Sequence, residues 1–281
     1  MSAEITVPGY TIVKKVADGG SASIFKAKKH PYENIVALKV LHPQFVGNKE
    51  MVRAFDREAE VLARIKHPSI IKFGGRVAKA PRPTIELEMF DSTTLRTVIA
   101  RSGGKLTVAD TAKILKPIAE ALSYVHSLQL AHLDMKPENI CVDENLQVRL
   151  IDFSIARDTR RSISERIASI FAAKKGDATI QGTLIYLSPE QIKRSDPAGP
   201  ADIYSFGLVL HECLAGAPPF RGHDQKAIIK QHLSDPAPWV EKVRPDCPAD
   251  LALLIRSMLE KDPAKRPDAT AVAQVLAKYA G

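Results

Sequence analysis

The sequence predicts an α+β chain: a small strand-rich lobe followed by a larger helical one. Three observations carry that expectation. Over roughly the first 90 residues, short apolar or β-branched runs alternate with turn signals. From about Leu95 onward, apolar residues recur at helical spacing. Residues 201–214 are apolar almost all round, as in a helix buried on every side.

Taken in order, residues 10–15, 24–27 and 35–41 read as strands, separated by the turn-prone Asp18-Gly19-Gly20 and His30-Pro31. Residues 51–65 place Val52, Phe55, Val61, Leu62 and Ile65 on one helical face. Residues 70–77 and 85–90 return to strand. Thr107 followed by Asp110, an acidic variant of the capping box, opens a helix running to about residue 128. Further helices are expected at 225–233, at 249–259 with Pro248 in the first turn, and at 269–279. There is no internal repeat. The expected organisation is a single domain over 1–281, with a small lobe at about 1–90, a hinge at about 88–93 and a large lobe at about 94–281. A cleft between lobes is the usual place for a ligand.

Composition narrows the function classes. A net charge of +8 favours anionic ligands, yet aromatics are only 6% and no basic run is interleaved with them, which argues against nucleic acid. The cysteines Cys141, Cys213 and Cys247 are odd in number and widely spaced. They suggest neither a disulfide framework nor a metal site, as suits a reducing compartment. No signal peptide is visible and no apolar run approaches the ~18 residues of a membrane span. A cytoplasmic location and no membrane partner within this chain are the expectation.

The informative stretch is His132-Leu133-Asp134-Met135-Lys136-Pro137-Glu138-Asn139, followed by Asp152-Phe153-Ser154. In register with it stand V-A-L-K with Lys39, R-E-A-E-V-L with Glu58, G-T-L-I-Y-L-S-P-E ending at Glu190, D-I-Y-S-F-G beginning at Asp202, and D-P-A-K-R-P with Arg266. From about residue 10 to 279 the chain resembles the eukaryotic-like, bacterial-type serine/threonine protein kinase catalytic domain, whose motifs are H-R-D-L-K-P-E-N and D-F-G. The resemblance implies a bilobal protein-kinase-like fold. It also implies transfer of the γ-phosphate of ATP, with Mg²⁺ or alternatively Mn²⁺, to Ser/Thr hydroxyls of protein substrates, autophosphorylation included. It sets neither a particular protein substrate nor an oligomeric state.

Carried over residue by residue, the resemblance makes Asp134 the group that takes or orients the acceptor proton. Lys136 neutralises the γ-phosphate, and Thr183 contacts both. Asn139 and Asp152 hold the metal, a hard cation suited to oxygen ligands. Lys39, held by Glu58, binds the α- and β-phosphates. The phosphate-covering loop is Val16, Ala17, Asp18, Gly19 and Gly20. Ile24 and Ala37 cover one face of adenine and Cys141 the other, as a packing residue. Glu88 and Phe90 offer backbone groups, with Leu87 as gatekeeper. Leu62, Phe73, Phe153 and His132 match the family's stacked column, anchored by Asp202, and Arg266 is expected to pair with Glu190.

The chain departs from the family in four places. Only the middle glycine of G-x-G-x-x-G, Gly19, is in place, with Ala17 and Ala22 at the flanks; Gly20 is expected to restore some freedom. Leu133 replaces the arginine that receives an activation-segment phosphate, so activity independent of such a phosphate, or control by other means, is expected. Ser154 replaces the D-F-G glycine, which is tolerated if its φ is negative. Residues 162–175 combine a capping box at Ser162–Glu165 with Ile163, Ile167, Ile170 and Phe171 on one face, the pattern of an amphipathic helix suited to autoinhibition or partner binding. Thr159, Ser162, Ser164, Ser169 and Thr179 are candidate phosphorylation sites. Two other readings are weighed. A pseudokinase scaffold is opposed by the intact set of Lys39, Glu58, Asp134, Lys136, Asn139 and Asp152. A small-molecule kinase is opposed by the G-T-x-x-Y-x-S-P-E stretch.

Overall fold

A computed structural model describes residues 5–159 and 184–281. They divide into two compact units: residues up to Asp91 together with Asp152–Ser154, and Ser92–Ile151 together with Ile155–Gly281.

The first unit is an antiparallel sheet of β1 (Tyr10–Asp18), β2 (Ala22–Lys29), β3 (Asn34–Leu41), β4 (Phe73–Arg76) and β5 (Thr84–Glu88), in the order β1-β2-β3-β5-β4. Register decides what each face carries. Ile24 pairs with Lys39 and Ala37 with Leu87, so the period-2 pleat puts these four side chains on one face. Phe25, Ala27, Val36, Leu38 and Val40 fall on the other, where they close a core with Val7. Each such side chain, fully buried, contributes on the order of 1.5–3 kcal/mol. The expected strand over 70–77 is only four residues long, and the one over 85–90 ends at Glu88.

The expected helix at 51–65 is α1 (Lys49–Arg64). It starts earlier because the Asn48 side chain accepts from the N–H groups of Glu50 and Met51 at 3.0 and 3.2 Å. Its buried face is Phe55, Glu58, Ala59, Val61 and Leu62, so Glu58 is a charge on an otherwise apolar stripe.

The second unit holds α2 (Leu95–Arg101), α3 (Val108–Ser127), α4 (Pro189–Ile192), α5 (Gly199–Ala215), α6 (Gln225–Leu233), α7 (Ala249–Met258) and α8 (Ala269–Ala277). Small sheets accompany them: β6 (Thr93–Thr94), β8 (Ile140–Val142) and β9 (Val148–Leu150) in one, β7 (Leu130–Ala131) and β10 (Arg157–Asp158) in the other. Thr107 caps α3 as expected, accepting from Asp110 N at 3.0 Å and donating to its carboxylate at 2.7 Å. Residues 201–214 of α5 are buried without exception, and the helix stops at Gly216 with φ 83°, the left-handed C-terminal stop that glycine permits. Pro248 serves as the N-cap of α7 rather than as a first-turn residue. α2 and the two- and three-residue strands were beyond periodicity, being too short to show a repeat. Among the described residues no helix is long and apolar enough to cross a membrane. The α+β class is the observed one.

Candidate active site

In the first unit, β3 presents Lys39 on the sheet face it shares with Ile24, Ala37 and Leu87, and α1 presents Glu58. The Lys39 ammonium donates to both Glu58 oxygens at 2.6 and 2.7 Å and to Asp152 Oδ1 at 3.3 Å. Burial opposes the charge on Lys39, but the carboxylates of Asp152 and Glu58 outweigh it and push its pKa above the ordinary lysine value. A cation fixed between two carboxylates can bind phosphate oxygens without titrating near neutrality. Asp152 has φ 63°, in the left-handed region that aspartate tolerates better than most residues. Its Oδ1 accepts from Ser154 N at 3.4 Å. Ser154 is not among the positive-φ residues, which meets the condition for serine to replace glycine there.

In the second unit the loop between β7 and β8 gathers the other charged set. The Lys136 ammonium donates to Asp134 Oδ2 at 2.6 Å, and Asn139 Nδ2 donates to the same oxygen at 2.9 Å and to the Asp134 carbonyl at 2.8 Å. With its nitrogen engaged in this way, Asn139 keeps its carbonyl oxygen as the atom that suits a hard cation. Asn139 N also donates to Lys136 O at 3.0 Å, closing the turn.

What holds this loop in shape is Asp202, fully buried on α5. Its carboxylate accepts from His132 N at 2.8 Å, Leu133 N at 2.6 Å and His126 Nε2 at 2.8 Å. His132 Nδ1 accepts from Asp134 N at 3.2 Å, which leaves Nε2 as the protonated nitrogen, donating to Ile151 O at 3.0 Å. His132 is thus a scaffold residue. Leu133 sits at φ 66°, a conformation costing a non-glycine residue about 1–2 kcal/mol. Asp202 at its N–H and Gln191 Nε2 at its carbonyl (2.8 Å) offset that cost. Its side chain packs with Ala131, Ala201 and Ile155, and leucine itself offers no donor for a phosphate.

The remaining expected residues fall as follows. In the first unit, Leu62 and Phe153 are buried and Phe73 is half-buried, opposite Leu87 on β5. Val16 is an exposed residue at a β1 register shift, followed by Ala17. Asp18 is engaged by Lys15, Ser23 and His42. A Cβ on Gly19 would lie 3.1 Å from Ala22 O, whereas Gly20 has open space and ordinary φ, so the freedom expected of Gly20 goes unused. Glu88 N–H donates to Lys72 O at 2.9 Å, so this residue's share in recognising a base would fall to its carbonyl. Phe90 follows the end of β5. In the second unit Cys141 is half-buried on β8, and burial raises its pKa against an opposing hydrogen bond from Ser92, as befits a packing thiol. The Thr159 hydroxyl donates to Gln129 O at 3.1 Å. Thr183, Ser162, Ser164, Ser169, Thr179 and the expected helix over 162–175 lie outside the described residues.

Two features were not anticipated from the sequence. Arg96 on α2 pairs with Glu138 at 2.8 Å and with Glu212 and Tyr186, tying α5 and the segment before α4 to the Asp134 loop. Only the fold brings these four positions together. Gln191 completes a capping box with Ser188, a signal that the S-x-x-Q spacing does carry. The expected Arg266–Glu190 pair is present, bidentate at 2.7 and 3.0 Å.

Residues 10–276 match the family model for the protein kinase domain. The chain is 33% identical over 258 residues to the serine/threonine-protein kinase PknD of Mycobacterium tuberculosis, covering 92% of this chain and 37% of PknD. It is 30% identical to the probable serine/threonine-protein kinase CPE1738 of Clostridium perfringens (92% and 36%) and 28% identical to PrkC of Bacillus subtilis (92% and 38%). It therefore spans little more than a third of the length of these relatives. With a family match over nearly its whole length, the chain belongs to the protein kinase domain family, and these relatives are bacterial serine/threonine-protein kinases.

Proposed function

We propose that this chain is an active Mg-ATP-dependent kinase that phosphorylates serine and threonine hydroxyls of proteins. The observation that carries the reading is the Asp134 carboxylate held by Lys136 and Asn139 at 2.6 and 2.9 Å. In the reaction the acceptor oxygen attacks the γ-phosphorus, the bond to the β,γ-bridging oxygen breaks, and ADP leaves. Asp134 takes the acceptor's proton, Lys136 balances charge on the transferring group, and Thr183 contacts both. Lys39, oriented by Glu58, binds the α- and β-phosphates. Val16, Ala17, Asp18, Gly19 and Gly20 form the covering hairpin. Ile24, Ala37, Leu87, Glu88, Phe90 and Cys141 serve the base.

Asp152 and Asn139 would hold Mg²⁺, or Mn²⁺ in its place. Both offer hard oxygen donors, and Mg²⁺ typically takes one or two protein oxygens and completes its shell with phosphates and water. When bound, the metal neutralises charge developing on the phosphates.

The test is incubation with Mg-ATP and generic protein substrates, with phosphorylated sites read by mass spectrometry. Wild type should label serine and threonine, and Asp134→Asn should be slower by ~10²–10⁴-fold, the usual share of a general base. Equal silence of both would favour the scaffold reading, which the intact charged sets do not support.

A further inference from the structure

We propose that Asp18 is a positioning residue: together with Ser23, His42 and Lys15 it clamps the phosphate-covering hairpin, supplying by side-chain bonds the placement that this loop's missing glycines do not. The inference rests on the kinase reading above.

The β1–β2 hairpin has a defined tip. Asp18 pairs with Ser23 across the strands, and Gly19 N donates to Ala22 O at 2.9 Å. Around this turn the Asp18 carboxylate is engaged on both oxygens. Oδ1 accepts from Ser23 Oγ at 2.6 Å and from His42 Nε2 at 3.1 Å; Oδ2 pairs with the Lys15 ammonium at 2.6 Å. Ser23 Oγ and His42 Nε2 are themselves 3.0 Å apart, so the three side chains form a closed triangle. The main chain adds a second tie to the same place: His42 N donates to Ser21 O at 2.9 Å.

The anchors are the less exposed partners. Ser23 is buried, and the His42 side chain is only 15% exposed and stacks on Phe45 at 6.3 Å. Asp18 is 57% exposed, so the clamp runs from an exposed hairpin tip onto the better-buried connection between β3 and α1. Hydrogen bonds from Lys15 and Ser23 hold its carboxyl well below the usual range, so the acceptor stays ionised at working pH.

A glycine-rich loop lets its N–H groups approach phosphate closely but must be ordered on binding. Here side-chain hydrogen bonds tie the hairpin tip to the connection between β3 and α1. Asp18 therefore acts on nucleotide affinity through backbone placement, its carboxylate being engaged by Ser23, His42 and Lys15.

The test has two independent readouts. Amide hydrogen exchange over residues 17–23 in nucleotide-free protein reads the clamp itself; steady-state kinetics read its consequence. Asp18→Ala should speed exchange and raise KM for ATP by about threefold to tenfold with kcat within about twofold, the range for charge-assisted bonds that are partly screened. Asp18→Asn keeps an oxygen for Ser23 and His42 and should recover most of that loss. His42→Ala should shift both readouts in the same direction by less, since Ser23 and Lys15 still hold Asp18, and the double variant should be no worse than Asp18→Ala, since the residues belong to one unit. Unchanged exchange and unchanged KM in Asp18→Ala would overturn the proposal, as would a loss confined to kcat. If exchange accelerates but wild type binds no ATP, the kinase reading has failed, and the positioning role falls with it.

Discussion

Replacing Arg266 tests whether a buried ion pair holds the helical unit together. The Arg266 side chain is fully buried and that of Glu190 is 9% exposed, and they meet in a bidentate fork at 2.7 and 3.0 Å. Arg266 also donates to the carbonyls of Pro200 at 2.7 Å and Glu260 at 2.8 Å, and its guanidinium lies 4.8 Å from the centre of the Tyr204 ring. Arg266→Met keeps much of the volume but strands the Glu190 carboxylate and the carbonyls of Pro200, Glu260 and Lys261. Removing one partner of a buried pair costs about 3–5 kcal/mol. An unfolding entropy near 2.1 cal/mol/K per residue, over 281 residues in one cooperative transition, makes that a fall in Tm of about 5–8 °C. Arg266→Met/Glu190→Leu removes the stranded charge and should recover roughly half or more, the rest remaining in the unpaired carbonyls. Thermal unfolding by circular dichroism at one buffer and scan rate measures both. A drop under about 1 °C for the single variant, or a double variant no better than the single, would refute the reasoning.

Three further outcomes follow from the same structure. Burial lowers the pKa of His232 to about 3, so between there and its unfolded value near 6.5 the unfolded chain binds the extra proton. Stability must therefore fall as pH drops below about 6.5. His232→Asn should flatten that part of the wild-type curve in denaturant titrations from pH 7 to pH 4.5; parallel curves would contradict it. The thiols of Cys141, Cys213 and Cys247 are all raised by burial, Cys247 to about 11, so iodoacetamide at pH 7.5 should label each more slowly than a free thiol. Rapid labelling of Cys141 by peptide mass spectrometry would run against its packing role. Leu133 stands in an apolar cluster, so exhaustive phosphatase treatment should leave the initial transfer rate unchanged; a loss of activity would show that another cation reads an activation-segment phosphate.

Most of the charged machinery was legible in the sequence because phosphoryl transfer needs particular side chains at particular spacings. Lys39 with Glu58, Asp134 with Lys136 and Asn139, and Arg266 with Glu190 all meet as the motifs require. The long helices were legible from periodicity, and burial of α5 from its apolar girth. Helix ends were less so: Asn48 begins α1 before its apolar stripe does, because a cap is a local hydrogen bond rather than a pattern.

The chain's order of residues by itself determined the fold class and the family, and it named the candidate catalytic set, since these depend on residue type and local spacing. Tertiary structure alone decided how the altered positions are accommodated. Leu133 is held at φ 66° by Asp202 and Gln191, from 69 and 58 positions away. Arg96 meets a glutamate 116 positions distant. Asp18, which the sequence places in the phosphate-covering loop with no sign of its partner, meets His42, 24 positions on. Hydrogen bonds and ion pairs are set by distance in space, and no sequence pattern encodes that distance until register and packing have closed the chain upon itself.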